Sequence, residues 1–200
     1  MTVPTHMVVA PREQAAHCES GVTMELLRAS GLDISEPLAF GIGSGVFFTH
    51  IPFVKVTGHP VTAFRSLPGT IFGKTCARLG VKRTVKRFLS RRKAERTLNE
   101  KLAAGLSVGL RTNIQWLTYF PKQFRFNFNG HHIVVNGRDE ETYSILDPVV
   151  DTPVSCHRTL LERARFSPGP LAPRGYLFHV ADRAIAPGAV DLGEIGRAHV

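Results

Sequence analysis

The stretch "FRFNFNGHHIVVNGRDEETYSILDPVV", Phe124 to Val150, constrains the fold more than any other. Two β-rich runs, His131 to Asn136 and Thr142 to Leu146, flank "GRDEE", and that pattern reads as a hairpin. If Gly137 pairs with Thr142, His132 falls opposite Asp147. Cross-strand partners have Cβ atoms about 5 Å apart, close enough for a carboxylate to orient an imidazole. A shift of register by one residue would put the two on opposite faces, unless Asp147 lies just beyond the strand. Pro148, which cannot continue a central ladder, favours such an exit. His131 is the rival base, with its side chain on the other face from His132.

A second feature lies far upstream. From Cys18, the apolar or small positions Val22, Leu26 and Ala29 follow at helical spacing, Met24 and Leu27 widen the stripe, and Gly31 supplies a stop. Cys18 then sits in the first helical turn, where unsatisfied backbone N–H groups and the positive end of the helix dipole favour a thiolate. Alone, such a cysteine is more often a packed small hydrophobe. A cysteine near the N-terminus followed downstream by a histidine and an aspartate on paired strands is the chain order of papain-like cysteine enzymes. In such a set the base takes the thiol proton and the carboxylate fixes the base's tautomer. The expected fold is α+β, with the Cys18 helix packed on an antiparallel sheet that carries the histidine and the aspartate.

Composition narrows the alternatives. At 200 residues and 43% hydrophobic content the chain can bury a core in one domain. Three cysteines, Cys18, Cys76 and Cys156, are too few and too far apart for a disulfide framework, and none has zinc-ligand spacing to another cysteine or a histidine. Neither a metal nor another cofactor is expected. No basic leader and no apolar run of membrane-spanning length appears, so the expectation is a cytoplasmic protein with no membrane partner. The glycines Gly41, Gly43 and Gly45 in "GIGSG" lack the third glycine and the following helix of a dinucleotide loop, because Val46 opens a strand-like "VFFTHIPFV". They read as a tight turn with close backbone approach.

The net charge of +9 is concentrated. Ten basic residues against one acid lie between Lys74 and Arg96, and Leu79, Val81, Val85, Phe88 and Leu89 within the segment predict an amphipathic helix with a cationic outer face. A solvated helix face is the plain reading. An acidic protein, an anionic surface or nucleic acid are the others, and nucleic acid ranks behind an acidic protein because the one aromatic, Phe88, falls on the apolar stripe.

"HCESGVTMELLRASGLDISEPLAFGIGSGVFF" resembles the opening of the butirosin biosynthesis protein H N-terminal family, and "LNEKLAAGLSVGLRTN", "HHIVVNGRDEETYSILDP" and "LLERAR" follow in that family's order. The resemblance runs from about His17 to Val180 and is loose over the basic segment. It implies a fold similar to that of bacteriocin-processing cysteine peptidases, whose histidine precedes an aromatic or aliphatic residue and two valines and whose aspartate lies in an Asp-Pro. On this chain it implies Cys18 as nucleophile, His132 as base and Asp147 as orienting carboxylate, with Gln14 as the candidate oxyanion donor. It further implies an acyltransferase that moves an aminoacyl group from an acyl carrier protein thioester to a small amine acceptor. A peptidase or amide hydrolase is the first alternative and a non-catalytic binding module the second. Lys82, Arg83, Lys86 and Arg87 are then the expected carrier-binding residues.

The expected domain spans residues 1–182, with 183–200 as a linker or truncated tail. "IGRAHV", Ile195 to Val200, is what ATC GGA AGA GCA CAC GTC encodes, the start of a common short-read sequencing adapter, so the reading frame is expected to be cut short before a second domain.

Overall fold

The structure is a computed structural model, and it describes residues 14–181 except Thr57. The expected linker or tail, residues 183–200, lies outside the described residues. A six-stranded sheet, antiparallel at every pairing, forms the centre, in the order β3-β8-β4-β5-β6-β7. Its strands are β3 (Arg83–Lys86), β4 (Val108–Thr112), β5 (His131–Arg138), β6 (Thr142–Leu146), β7 (Val154–His157) and β8 (Leu177–Val180). The helices are α1 (Cys18–Arg28), α2 (Glu36–Ile42), α3 (Ile71–Arg78), α4 (Arg91–Ala103) and α5 (Arg158–Arg165). A separate hairpin, β1 (Val46–Val56) with β2 (His59–Arg65), makes its own two-stranded sheet.

The central strands are buried on both faces, which is why β4, "VGLRT", is buried at all five positions despite its polar end. On one face Val22, Leu26 and Leu27 of α1 pack with Ile42 of α2, Phe72 and Cys76 of α3, and Val134 and Phe178 of the sheet. On the other, Ala94 and Leu98 of α4 and Leu161 and Ala164 of α5 pack with Ile133, Val135, Ile145 and Leu177. Val134 faces one cluster and its neighbours Ile133 and Val135 the other, the alternation a strand imposes.

Helix α1 starts at Cys18 and ends at Arg28, with Gly31 in the left-handed region at φ 94° closing it, as the spacing predicts. The glycine turn also holds: Gly43, Ser44 and Gly45 follow α2, and a Cβ on Gly45 would overlap the Phe40 ring. Gly41, by contrast, lies within α2.

Two expectations fail. The basic segment is not one helix. Gly80, at φ 66°, ends α3, Val81 turns back to the core with its N–H on the Cys76 carbonyl, and the β-branched Thr84 and Val85 lie in the short edge strand β3, paired to β8 with Thr84 opposite His179. Lys82, Arg83, Lys86 and Arg87 are exposed on or beside that edge, while Arg91, Arg92, Lys93 and Arg96 belong to α4. The hairpin register also differs. Val134 pairs with Leu146 and Val135 with Ile145, an irregularity intervenes at Asn136, and Gly137 then pairs with Ser144. Asp147 therefore lies beyond the end of β6 and opposite neither histidine on a ladder, as the proline after it favours.

Candidate active site

The first turn of α1 is held from three sides. His17 is the N-cap, its Nδ1 accepting from the Ser20 N–H at 3.4 Å. The Ala15 N–H donates to the Pro148 carbonyl at 2.8 Å, tying the approach to α1 to the loop that carries Asp147. Gly21 lies against Pro148 and Ala15 so closely that a Cβ there would overlap both side chains. The third support is Glu19, fully buried, whose Oε1 accepts from the Ile71 N–H at 2.7 Å and whose Oε2 accepts from the Gly69 N–H at 3.0 Å. Its carboxylate satisfies the start of α3 and joins the two helices. Burial raises the Glu19 pKa, against these N–H donors and the nearby Arg65.

Cys18 then stands at the helix start with Sγ 4.0 Å from the Gly130 carbonyl. Gly130 precedes β5, and its loop is pinned by amides. Asn113 Nδ2 donates to Asn127 Oδ1 at 2.7 Å and to Asn129 Oδ1 at 2.8 Å, and Asn129 Nδ2 donates to the carbonyls of Pro168 and Pro170. The next residue, His131, opens the strand. Its Nε2 is 2.7 Å from Asp147 Oδ2, which leaves Nδ1 as the nitrogen for the Cys18 thiol that it meets. Asp147, fully buried, also accepts from the Tyr119 hydroxyl at 2.7 Å and from the Val149 N–H at 3.1 Å.

The electrostatics follow from these contacts. Burial pulls the His131 pKa down, but the Asp147 charge and hydrogen bond and the Cys18 sulfur outweigh it and lift the imidazole to about 10. Burial pushes the Cys18 thiol up, and the hydrogen bond and charge of His131, the His132 backbone and the Arg65 charge bring it below its ordinary value. The two shifts run in opposite directions, the thiol down and the imidazole up, and both favour proton transfer from Cys18 to His131. Cys76 and Cys156, buried without such partners, are each pushed up to about 12.

The structure thus brings together Cys18, Asp147 and His131, not His132. His132 leaves the strand on the other side, fully buried, with its ring edge-on to Phe178 at 6.0 Å and neither ring nitrogen hydrogen-bonded. Burial and the positive charge of Arg111, its cross-strand partner on β4, hold it neutral. Its side chain is a wall of the core, and its backbone alone reaches the site. Gln14 is exposed, and no hydrogen bond joins it to Cys18, His131 or Asp147. Tyr119, Glu19 and Arg65 went unread in the sequence. Tyr119 and Arg65 carry no local signal, and only Glu19, adjacent to the cysteine in "HCES", had one. No group of described residues has the make-up of a metal site, and no described helix is long and apolar enough to cross a membrane.

Comparison with known proteins bears on the whole arrangement. The family model for butirosin biosynthesis protein H, N-terminal, matches residues 17–148, a range that holds Cys18, His131, His132 and Asp147. The chain belongs to this family. Among solved structures it is similar to a crystal structure described as a C39-like peptidase from Bacillus anthracis, at 19% identity and a TM-score of 0.55, covering 87% of this chain and 92% of that one. At that identity the likeness concerns fold, and the fold is papain-like. No curated protein matches the chain.

Proposed function

We propose that the chain is a cysteine-dependent acyltransferase that takes an acyl group from an acyl carrier protein thioester and passes it to a small amine. One observation carries the reading: a cysteine at a helix start, paired with an imidazole that a buried carboxylate orients at 2.7 Å. Family membership favours biosynthetic acyl transfer over proteolysis. The Cys18 thiolate attacks the thioester carbonyl, a new thioester forms on Sγ, and the donor sulfur leaves with the proton from His131. The neutral imidazole then takes a proton from the attacking amine, the amide forms, and Sγ leaves as thiolate, restoring the ion pair. The Cys18 backbone N–H, free at the helix start, is the donor best suited to the developing oxyanion. Gln14 remains a second candidate donor only if its exposed segment turns inward when substrate binds.

A peptidase reading rests on the peptidase-like fold. It differs in the donor, a peptide carbonyl, and in the final acceptor, water. Incubation with an acylated carrier, followed by intact-mass analysis, separates the two. Acyl transfer requires an adduct that Cys18→Ala abolishes and Cys76→Ala retains, and its disappearance on addition of an amine with formation of the amide. An adduct from peptides alone, released to water, would support the peptidase.

A further inference from the structure

Beside the nucleophile lies a groove of about 330 Å³ whose use the triad does not explain. Its floor is the inward face of β2, where Val61, Ala63 and Arg65 are half-buried and alternate with exposed Thr62 and Phe64. Ile51 of β1, Phe128 and Leu171 complete the walls. Two of its walls reach the neighbours of Cys18. Phe128 is two residues before Gly130, whose carbonyl is 4.0 Å from Sγ, and Arg65 lies against Glu19, the residue after Cys18. Arg65 Nη2 is buried without a hydrogen-bond partner, 3.8 Å from Glu19 Oε2.

We infer that this groove holds the acyl group while it is attached to Cys18, and that the group it takes is uncharged and largely apolar. The inference rests on the acyl-transfer reading. An acyl group bonded to Sγ has to extend into space that adjoins the sulfur, and this groove shares two of its walls with the Cys18 surroundings. At roughly 30 Å³ per water-sized group it has room for about ten non-hydrogen atoms. Its aliphatic and aromatic walls stabilise apolar surface removed from water and offer an ammonium no counter-charge. Arg65 at the inner end repels a cationic group further. Aminoacyl groups with a free ammonium are therefore poor occupants, and medium-length acyl chains are good ones.

The test uses small carrier-free donors, the N-acetylcysteamine thioesters of acetyl, glycyl and octanoyl groups, with the full chain, and reads kcat/KM for acylation of Cys18 by mass. The expected result is octanoyl faster than both others by about tenfold or more, the size of effect a fitted apolar pocket gives. Ala63→Trp, which fills the groove, should remove that preference and bring the ratio of octanoyl to acetyl rates to within about twofold of one; Val61→Trp serves if the first variant does not fold. Equal rates for acetyl and octanoyl, or a loss in Ala63→Trp shared equally by both donors, would overturn the groove assignment while leaving acyl transfer intact. An adduct from none of the three would overturn the acyl-transfer reading and the groove with it.

Discussion

At the start of β5 two adjacent histidines leave the backbone on opposite sides and meet opposite surroundings. His131 turns to Asp147, Tyr119 and Cys18 and is held protonated to about 10; His132 turns to Phe178 and the core under α1, finds no partner for either nitrogen, and stays neutral. Both are nearly or fully buried. Burial disfavours the charged form of each, and the difference comes from what waits on that side, the Asp147 carboxylate for His131 and the Arg111 charge for His132. A buried imidazole becomes a base only where the fold supplies both a proton acceptor and a thiol.

The largest test of that contrast is substitution of each histidine in turn. His131→Ala should lower Cys18 acylation by about 10³, in the range expected for loss of a positioned general acid–base group, whereas His132→Leu, which keeps the backbone N–H, should change it less than about threefold. The same pair of variants should separate in the pH dependence of alkylation by iodoacetamide. With His131 present, Cys18 should react below the pH at which an ordinary thiol does, because its pKa is lowered; in His131→Ala burial is left to push the thiol up, and its rate should rise only at or above the usual thiol value of about 8.5. A His132→Leu variant that loses the low-pH reactivity would reverse the assignment of roles.

A smaller effect concerns stability in acid. The folded-state pKa of His132 is lowered, so the unfolded chain binds its proton first as pH falls. The contribution from keeping it neutral is present above the unfolded value of about 6.5 and is lost progressively as pH drops below that. His17, lowered to about 4 by burial and by Arg65, acts in the same sense between 6.5 and 4. His132→Leu should therefore flatten the fall in thermal midpoint between pH 7 and pH 5 relative to the parent, while His131→Ala should not. The sign for His131 is opposite. Its raised pKa contributes below 6.5 and is lost as pH rises through about 10.

The smallest expected effect lies far from both histidines, on the edge strand β3. Replacing Lys82, Arg83, Lys86 and Arg87 by Gln should slow acylation from a carrier about tenfold at low salt and spare a carrier-free thioester, since exposed charges steer association and are screened beyond about 8 Å at physiological ionic strength. Equal slowing of both donors would mean the cluster supports the fold, as Arg87 stacked 5.3 Å from the Tyr176 ring centre could do. No slowing of either would leave these charges as guards of an exposed sheet edge.

The sequence by itself determined the start and end of α1, the place of Cys18 in its first turn and the existence of the hairpin from His131 to Leu146, and it left the exit of Asp147 beyond its strand as one of two arrangements. Each of these rests on local chemistry: apolar spacing, a glycine stop, β-branched runs, and a proline that ends pairing. Tertiary structure decided which histidine meets Asp147 and Cys18. With a side-chain period of two, an irregularity at one residue moves a whole strand's faces, and the register slip near Asn136 is invisible in composition. It also decided that the basic segment would split into helix, edge strand and helix, because β8 offered Arg83 to Lys86 a partner that no local pattern reveals. Glu19, Tyr119 and Arg65 became part of the site for the same reason. Each reaches it across a gap of many residues in the chain, and only the packing of α1 on α3, of the hairpin on the site, and of the loop after β4 on Asp147 closes those gaps.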